Sequence, residues 1–352
     1  MSQLNFRLIS YIIGLLLLLN STAIFLTSFV SYYFSDGFFS SILKSGFICF
    51  ALGFLIMFFS KNPKKIINRR DGYLVVVIGW LTMVFSGTLP YIFTNTIDNI
   101  PDLIFETMSG YTTTGSSIIS DIEALPESII FWRSMTHWLG GMGIIVLAIA
   151  ILPMLGIGGM QLFSAEAPGS GISGDKIHPR ISNTAKRLWF IYFGLTLLET
   201  LLLNIAGMSF FDAINHSMSN IATGGFSTKN DSLSFWNSMP QIQYIIIFFM
   251  ILAGTNFLLI YLSLIGKFKK LFYNTEFIWF LGLIASFVLI TTIILNSNVD
   301  LDSTNFNHPQ VLGKLEASFR HALFQVVAII TTTGFVTGDF AAWTPFLTML
   351  FF

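Results

Sequence analysis

Three short stretches rich in threonine and glycine are the residues of this chain most capable of chemistry. They read Tyr-Thr-Thr-Thr-Gly at 111–115, Ile-Ala-Thr-Gly-Gly at 221–225 and Ile-Thr-Thr-Thr-Gly at 330–334. They align without a gap, so that Gly115, Gly225 and Gly334 occupy equivalent positions. Loops of this kind at membrane depth replace the water around a cation with backbone carbonyls. Glycine permits the angles that turn those carbonyls toward one axis. We call the stretches the three tips.

A single Thr/Gly stretch would be an ordinary turn as readily as an ion site. Three in register, each after a short apolar segment, favour the ion site, because irregular backbone in a membrane is tolerated only where it is buried in protein or lines a cavity. The cation contacts are expected at Thr112, Thr113, Thr114, Gly115, Ile221, Ala222, Thr223, Gly224, Gly225, Thr331, Thr332, Thr333 and Gly334.

The residue nine positions before each tip glycine is polar, although its segment is otherwise apolar: Glu106, His216 and Gln325. Polar groups inside a membrane are functional candidates, and Glu106 would also add negative charge to the pore. The alternative is that each side chain anchors its own loop through hydrogen bonds to backbone N–H groups. We expect these residues to support the tips in this second way.

The composition is that of a protein embedded in lipid. The chain is 54% hydrophobic and 10% charged, its mean hydropathy is +0.74, and soluble domains carry roughly 25% charged residues. The net charge of zero gives no indication of nucleic-acid binding. Cys49 is the only cysteine, so an internal disulfide is excluded, and the five histidines lack the spacing of metal ligands.

Apolar runs near the ~20 residues that cross a bilayer occur at 9–33, 42–60, 73–94, 129–153, 188–208, 241–265 and 277–296, and an eighth begins near Trp343. The shorter segments that end in the tips are interpreted as re-entrant. Lys and Arg cluster after the second, fourth and sixth runs, whereas residues 72–132 contain acids and no Lys or Arg. Because cytosolic loops carry the excess of positive charge, we expect a cytosolic N-terminus and tips that enter from outside.

The expected fold class is an all-α polytopic membrane protein. In it, a unit of helix, re-entrant pore helix, filter loop and helix repeats around a central pore. The expected divisions are an N-terminal two-helix segment at 1–70, a first pore repeat with a cytosolic loop at 71–183, a second repeat at 184–272 and a third, incomplete repeat at 273–352.

Four further features need interpretation. Arg133 is expected to snorkel to the outer interface, and Glu199 to be paired within the bundle rather than active in transport. Residues 253–256 (Ala-Gly-Thr-Asn) interrupt the sixth run and indicate either a hinge or gate or close helix packing, of which we favour packing. Residues 153–186 are either a docking segment or a solvated connector.

Several motifs together resemble the Trk/Ktr/HKT superfamily, and within it the TrkH-type membrane subunits of bacterial potassium uptake systems. They are FETMSGYTTTG at 105–115, WLGGMGII at 138–145, GIGGMQ at 156–161, AEAPG at 165–169 and IATGGFS at 221–227. The resemblance runs from Arg69 to Phe340, and two helices precede the channel-like core in that branch as they do here.

The resemblance implies four pseudo-equivalent hairpins around a pore in the bacterial inner membrane, with one filter glycine per repeat. Gly115, Gly225 and Gly334 stand at those positions, and a glycine at the first of them is associated with potassium rather than sodium. The transported K⁺ is accordingly assigned to the backbone carbonyls of Thr113, Thr223 and Thr332. The implied partners are a cytosolic nucleotide-binding regulatory subunit (TrkA-like), a second copy of the chain in a homodimer, and membrane lipid, but no nucleic acid. The transported ion is the only cofactor.

The chain departs from the family pattern at its end, where a fourth repeat and most of the last helix of the third are missing. We therefore expect these 352 residues to be truncated before the fourth repeat and not to work as a transporter on their own.

Three alternatives stay open beside potassium uptake. The first is a sodium-permeant or cation-coupled symporter of the same fold. The second is a non-conducting fragment, sensor or assembly subunit. The third, a membrane-embedded enzyme, would need paired acids or a Ser/His constellation at membrane depth, and Glu199 and His137 are isolated in different runs. We expect no enzymatic activity.

Overall fold

The computed structural model describes residues 4–61, 69–155, 181–301 and 308–351. The secondary structure of these residues is helical, as expected for an all-α protein. They divide into two compact units, with the boundary at Lys186. The first contains the first tip and the second contains the other two. The finer division of the chain into four segments stays a prediction.

Six helices form the first unit: α1 (Phe6–Phe34), α2 (Phe39–Phe59), α3 (Arg69–Gly87), α4 (Leu89–Thr94), α5 (Ile100–Tyr111) and α6 (Glu127–Leu155). Helix α1 packs against α2, α3 and α6, and α5 packs against α3 and α6. Small residues bring α1 and α2 together, since a Cβ on Gly14 would lie 2.9 Å from the carbonyl oxygen of Gly53. Such close backbone approach is the usual basis of helix association in membranes.

The second unit begins within α7 (Ile181–Ile205). The helices that follow are α8 (Phe210–Ile221), α9 (Pro240–Ala253), α10 (Phe257–Leu264), α11 (Phe268–Phe272), α12 (Thr275–Asn298), α13 (Lys314–Ile330) and α14 (Pro345–Phe351), with short 3-10 helices at Ser232–Trp236 and Phe340–Ala342. Helix α9 packs against α8 and α13, and α12 also packs against α13. Trp236, Met250 and Phe324 are among the buried residues of the resulting core.

Five of the described helical segments are long and apolar enough to cross a membrane: Phe6–Phe34, Phe39–Phe59, Arg70–Thr94, Lys186–Ile205 and Thr275–Asn298. They confirm the first, second, third, fifth and seventh expected spans. The fourth expected span, 129–153, falls within α6.

The sixth expected span, 241–265, is wrong as a single helix. Helices α9 and α10 meet there at a bend of 102°. Gly254 is the C-cap of α9, and Asn256 caps the N-terminus of α10 by accepting a hydrogen bond from Leu258 N at 3.0 Å. One helix therefore ends and another begins within a few residues, and a hydropathy average over the run cannot detect this.

The three helices that precede the tips are short. Helices α5 and α8 have 12 residues each and α13 has 17. At a rise of ~1.5 Å per residue, α5 and α8 are about 18 Å long, which is less than the ~30 Å of a bilayer core. These lengths agree with the re-entrant interpretation, although α13 is longer than the sequence indicates.

Candidate functional site

The backbone of the three tips has the same conformation in each. Thr113, Thr223 and Thr332 have φ of 55°, 54° and 58°, and the glycines two positions later, Gly115, Gly225 and Gly334, have φ of 79°, 82° and 76°. A β-branched residue in the left-handed region is an outlier that costs on the order of 1–3 kcal/mol and persists only where its surroundings impose it. A residue with the same strained backbone therefore recurs at aligned positions in three hairpins. Each hairpin consists of a short helix (α5, α8 or α13), its tip and the loop and helix that follow.

Hydrogen bonds to the preceding helix account for that conformation. In the first tip, Thr113 N donates to Gly110 O at 3.1 Å and Thr114 N to Ser109 O at 2.9 Å. The second tip repeats the pattern from Thr223 N and Gly224 N, and the third from Thr332 N and Thr333 N. This is the Schellman arrangement, which satisfies the last carbonyls of a helix and requires a left-handed residue just beyond its end.

The backbone carbonyl oxygens of the tips accept no backbone hydrogen bonds from the described residues and so remain available to contact a cation. In the described part of the chain, no backbone N–H donates to a carbonyl oxygen of residues 112–115, 222–225 or 331–334. The sign of φ alternates along each tip, and positive φ is what a loop needs to turn successive carbonyls toward one axis. Oxygens arranged in this way suit a dehydrated cation, and the C-terminal end of the helix dipole favours positive charge nearby.

The threonine hydroxyls distinguish the tips. Thr112 Oγ1 lies 2.8 Å from Thr114 Oγ1, and Thr331 Oγ1 lies 2.8 Å from Thr333 Oγ1. The corresponding residues of the second tip are Ala222 and Gly224, which have no hydroxyl. A pair of hydroxyls thus stiffens the first and third tips, whereas the second is shaped by backbone bonds.

Close packing holds each tip in place. In the first unit, a Cβ on Gly140 of α6 would overlap the carbonyl oxygen of Tyr111, directly before the first tip. In the second unit, a Cβ on Gly225 would overlap the carbonyl oxygen of Thr333, so the second and third tips are in contact. Gly254, at the bend between α9 and α10, allows Thr331 to approach: a Cβ there would lie 2.8 Å from Thr331 Cγ2. Residues 253–256 therefore combine the bend with the close packing that we expected.

Glu106 connects the first pore helix to its loop. Its carboxylate accepts hydrogen bonds from the Ser117 hydroxyl at 3.0 Å and from Ile118 N at 3.1 Å. Arg133 Nε donates to Glu106 Oε1 at 2.9 Å, and Arg133 Nη2 donates to Ser117 Oγ at 3.0 Å. The expectation that Arg133 snorkels to the interface is wrong, because its side chain is 1% exposed. The ion pair compensates the burial of both charges.

His216 makes a similar connection in the second hairpin. Its Nδ1 donates to Asp212 O at 2.8 Å, which leaves Nε2 of the neutral ring to accept from the Ser227 hydroxyl at 2.9 Å. Asp212 adds a second link, since Thr228 Oγ1 donates to its carboxylate at 2.6 Å. Pore helix and loop are thus joined through two side-chain pairs.

Gln325 does not repeat this contact. Its side-chain oxygen is buried without a hydrogen-bond partner among the described residues, and the residue that aligns with Ser117 and Ser227 is Val336, which has no hydroxyl. In the third hairpin His321 Nδ1 lies 2.9 Å from Thr337 Oγ1 instead. In the register of the tips, these two residues align with Asp212 and Thr228. The repeat register could therefore have identified this pair.

Glu199 is paired within the second unit, as expected. Asn220 Nδ2 donates to Glu199 Oε1 at 2.6 Å, and both residues are buried. Asn220 is the residue of α8 to which Thr223 N donates, so this pair lies directly behind the second tip. Sequence reasoning identified Glu199 but missed Asn220, Asp212 and His321. The cytosolic loop expected at 153–186 lies mostly outside the described residues.

Comparison with known proteins gives consistent relatives. The sequence model of a family described as TrkH, cation transport protein, matches residues 39–352. The Trk system potassium uptake protein TrkH of Salmonella typhimurium is 40% identical over 349 residues, which are 99% of this chain and 70% of that protein. The Trk system potassium uptake protein TrkG of Escherichia coli K12 is 31% identical over 353 residues, which are 100% of this chain and 70% of that protein.

A solved structure agrees with these relatives. The crystal structure of the potassium transporter TrkH from Vibrio parahaemolyticus superposes with a TM-score of 0.85 at 35% sequence identity. The superposition covers 99% of this chain and 69% of that one.

Proposed function

The chain belongs to the TrkH family of cation transport proteins, and from that premise we propose that it takes up potassium as the translocating subunit of a bacterial Trk-type system. Relatives at 40% and 31% identity bear the name of Trk system potassium uptake proteins. A family of transporters, rather than of enzymes, agrees with a chain whose chemistry resides in three backbone loops.

The observation that carries the proposal is the shared conformation of the three tips. A bare monovalent cation in hydrocarbon costs tens of kcal/mol, and only oxygens at fixed positions offset that cost. We assign the K⁺ contacts to the tip residues, and in particular to the backbone carbonyls of Thr113, Thr223 and Thr332. The positive φ of these residues and of the tip glycines supports the assignment.

The support of the filter is proposed to come from side chains behind each loop. Glu106 with Arg133 would hold the first loop, and His216 with Asp212 the second. In the third hairpin His321 would take this part, because it contacts Thr337. The filter-supporting role predicted for Gln325 has no such contact in its favour.

The protein is a membrane protein, and we propose the bacterial inner membrane with the N-terminus in the cytosol. Exposed Lys267, Lys269 and Lys270 on and beside α11 support this orientation, because positive charge concentrates in cytosolic loops. The same basic surface suits a cytosolic nucleotide-binding regulatory subunit. We also propose a homodimer surrounded by lipid, which is what the family resemblance implies.

Growth on limiting potassium tests the proposal. The gene, read to its natural stop, is expressed together with the proposed regulatory subunit in a bacterium that lacks its own potassium uptake systems, unaltered and as Gly225→Ala. The matched control is Gly37→Ala, because Gly37 has a similar φ of 86° in the turn between α1 and α2 and nothing lies within 4 Å of its Cβ position. We expect growth with the unaltered gene and with the control, and no growth with Gly225→Ala. Absence of growth with the unaltered gene, with protein present in the membrane, would contradict potassium uptake.

A further inference from the structure

A chain of buried and partly buried polar side chains joins the second and third hairpins. We call it the brace, and it consists of Tyr244 and Gln243 on α9, Glu316 and Arg320 on α13, and Asn237 in the loop before α9. Arg320 is its centre: Nε donates to Glu316 Oε1 at 2.8 Å, and Nη1 donates to Gln243 Oε1. Tyr244 OH donates to the same Glu316 oxygen at 3.0 Å.

The brace continues to the backbone that follows the third tip. Gln243 Nε2 donates to Asn237 Oδ1 at 2.6 Å, and Asn237 Nδ2 donates to Thr337 O at 2.9 Å. Close to this point, Leu233 N donates to Val336 O at 3.0 Å. The loop after the second tip is thereby bonded to the loop after the third. A continuous set of hydrogen bonds runs from the Arg320 guanidinium to a backbone carbonyl just beyond Gly334.

The first hairpin has an ion pair of its own where the second and third hairpins share the brace. In the register that pairs Gly115 with Gly225, Arg133 aligns with Gln243. Arg133 donates to Glu106 within its own hairpin, whereas Gln243 accepts from Arg320 of the next hairpin. Arg133 thus bonds within the first repeat, whereas Arg320, which occupies a different position in the register, connects the second and third repeats.

The brace connects the segments that carry the second and third tips, and the distance between these tips affects the geometry of the proposed filter. The second and third tips touch where Gly225 faces the carbonyl oxygen of Thr333, and Asn237 fixes the third loop at Thr337, shortly after that contact. Arg320 is fully buried, and burial of a charge is expensive unless its partners are well placed. Loss of one buried partner would leave the others unsatisfied and free to rearrange.

We propose that Arg320 is a positioning residue for ion selection, which acts through Gln243 and Asn237 to set the spacing between the second and third tips. The inference rests on the proposed potassium uptake, since it concerns the same filter. It requires that loss of the brace change which ion passes, beyond any change in how much protein reaches the membrane.

Uptake of rubidium, with and without competing sodium, separates rate from selectivity. The first variant is Arg320→Gln, and its control is Lys314→Gln, which removes a positive charge from an exposed position on the same helix. With Arg320→Gln we expect the discrimination of potassium over sodium to fall about tenfold, the size of effect of one lost charged hydrogen bond. With Lys314→Gln we expect no change.

A second variant changes the far end of the brace, where Asn237 Nδ2 also lies 3.4 Å from His308 Nδ1. Asn237→Asp keeps the oxygen that accepts from Gln243 and loses the donation to Thr337 O. We expect a smaller fall in discrimination in the same direction, and this variant decides the question if Arg320→Gln does not reach the membrane. Uptake by the unaltered protein with unchanged discrimination in the variants overturns the brace alone. Absent uptake by the unaltered protein overturns the proposed function and the brace together.

Discussion

Gly225 lies so close to the carbonyl oxygen of Thr333 that any side chain at position 225 would overlap that oxygen. The contact joins two residues that are distant in sequence and lie in tips of the same conformation. Gly225 is therefore constrained twice, by its φ of 82° and by its neighbour. Gly334, the equivalent residue of the third tip, has a φ of 76° but nothing within 4 Å of its Cβ position.

Alanine substitutions at Gly225 and Gly334 separate the effect of backbone strain from the effect of steric overlap with the Thr333 carbonyl oxygen. Either change places a side chain in the left-handed region, at a cost of about 1 kcal/mol. Gly225→Ala must in addition displace the third tip. We expect Gly225→Ala to reduce rubidium uptake much more than Gly334→Ala does, with both proteins present in the membrane. Equal uptake by the two variants would contradict the contact between the tips.

The buried pair of Glu106 and Arg133 predicts strong coupling. Glu106→Gln or Arg133→Gln alone leaves the other charge buried without its ionic partner, a change that costs about 3–5 kcal/mol. The double variant has no such charge, so we expect it to be more stable than the Arg133→Gln variant. Thermal unfolding of the purified proteins gives the coupling energy as a double-mutant cycle. Additive effects would show that the two side chains do not interact.

His308 predicts a loss of stability in acid. Burial and the nearby positive charge of Arg320 lower its pKa to about 4, whereas the pKa in the unfolded chain is about 6.5. Between these two values the unfolded state binds more protons than the folded state, so stability declines as the pH falls through this window. The contribution is at most about 1.4 kcal/mol per pH unit.

The test is the unfolding temperature of the unaltered protein and of His308→Gln between pH 7 and pH 4. We expect the unaltered protein to lose more stability than the variant over this range, because the variant has one fewer group to protonate. Parallel curves for the two proteins would contradict the assignment of the low pKa to His308.

The sequence predicted the helices and the tips well because both depend on local pattern. The hydropathy runs located five spans, and the common register of the Thr/Gly stretches located three equivalent loops. The bend at Gly254 corresponds to the hinge that the small residues at 253–256 allowed. We did not favour that alternative, because the apolar run continues across these residues.

Side-chain partners were harder to predict because they depend on tertiary packing. Arg133 was expected at the interface since its position in the run is near an end, and only the structure shows it paired with Glu106. Gln325 occupies the position of Glu106 and His216, yet its loop offers Val336 where theirs offer serine. A residue that aligns with one partner of a hydrogen bond therefore does not show that the second partner is present.

The measurement that tests the central claim most directly is the ion selectivity of Gly225→Ser. Currents or fluxes are recorded with potassium and sodium gradients for the unaltered protein, for this variant and for Gly37→Ser as a control outside the tips. Since the serine side chain must move the Thr333 carbonyl, the proposed filter predicts that Gly225→Ser weakens potassium over sodium discrimination while the control preserves it. An unchanged selectivity ratio in Gly225→Ser, at normal abundance in the membrane, would contradict a filter built from these tips.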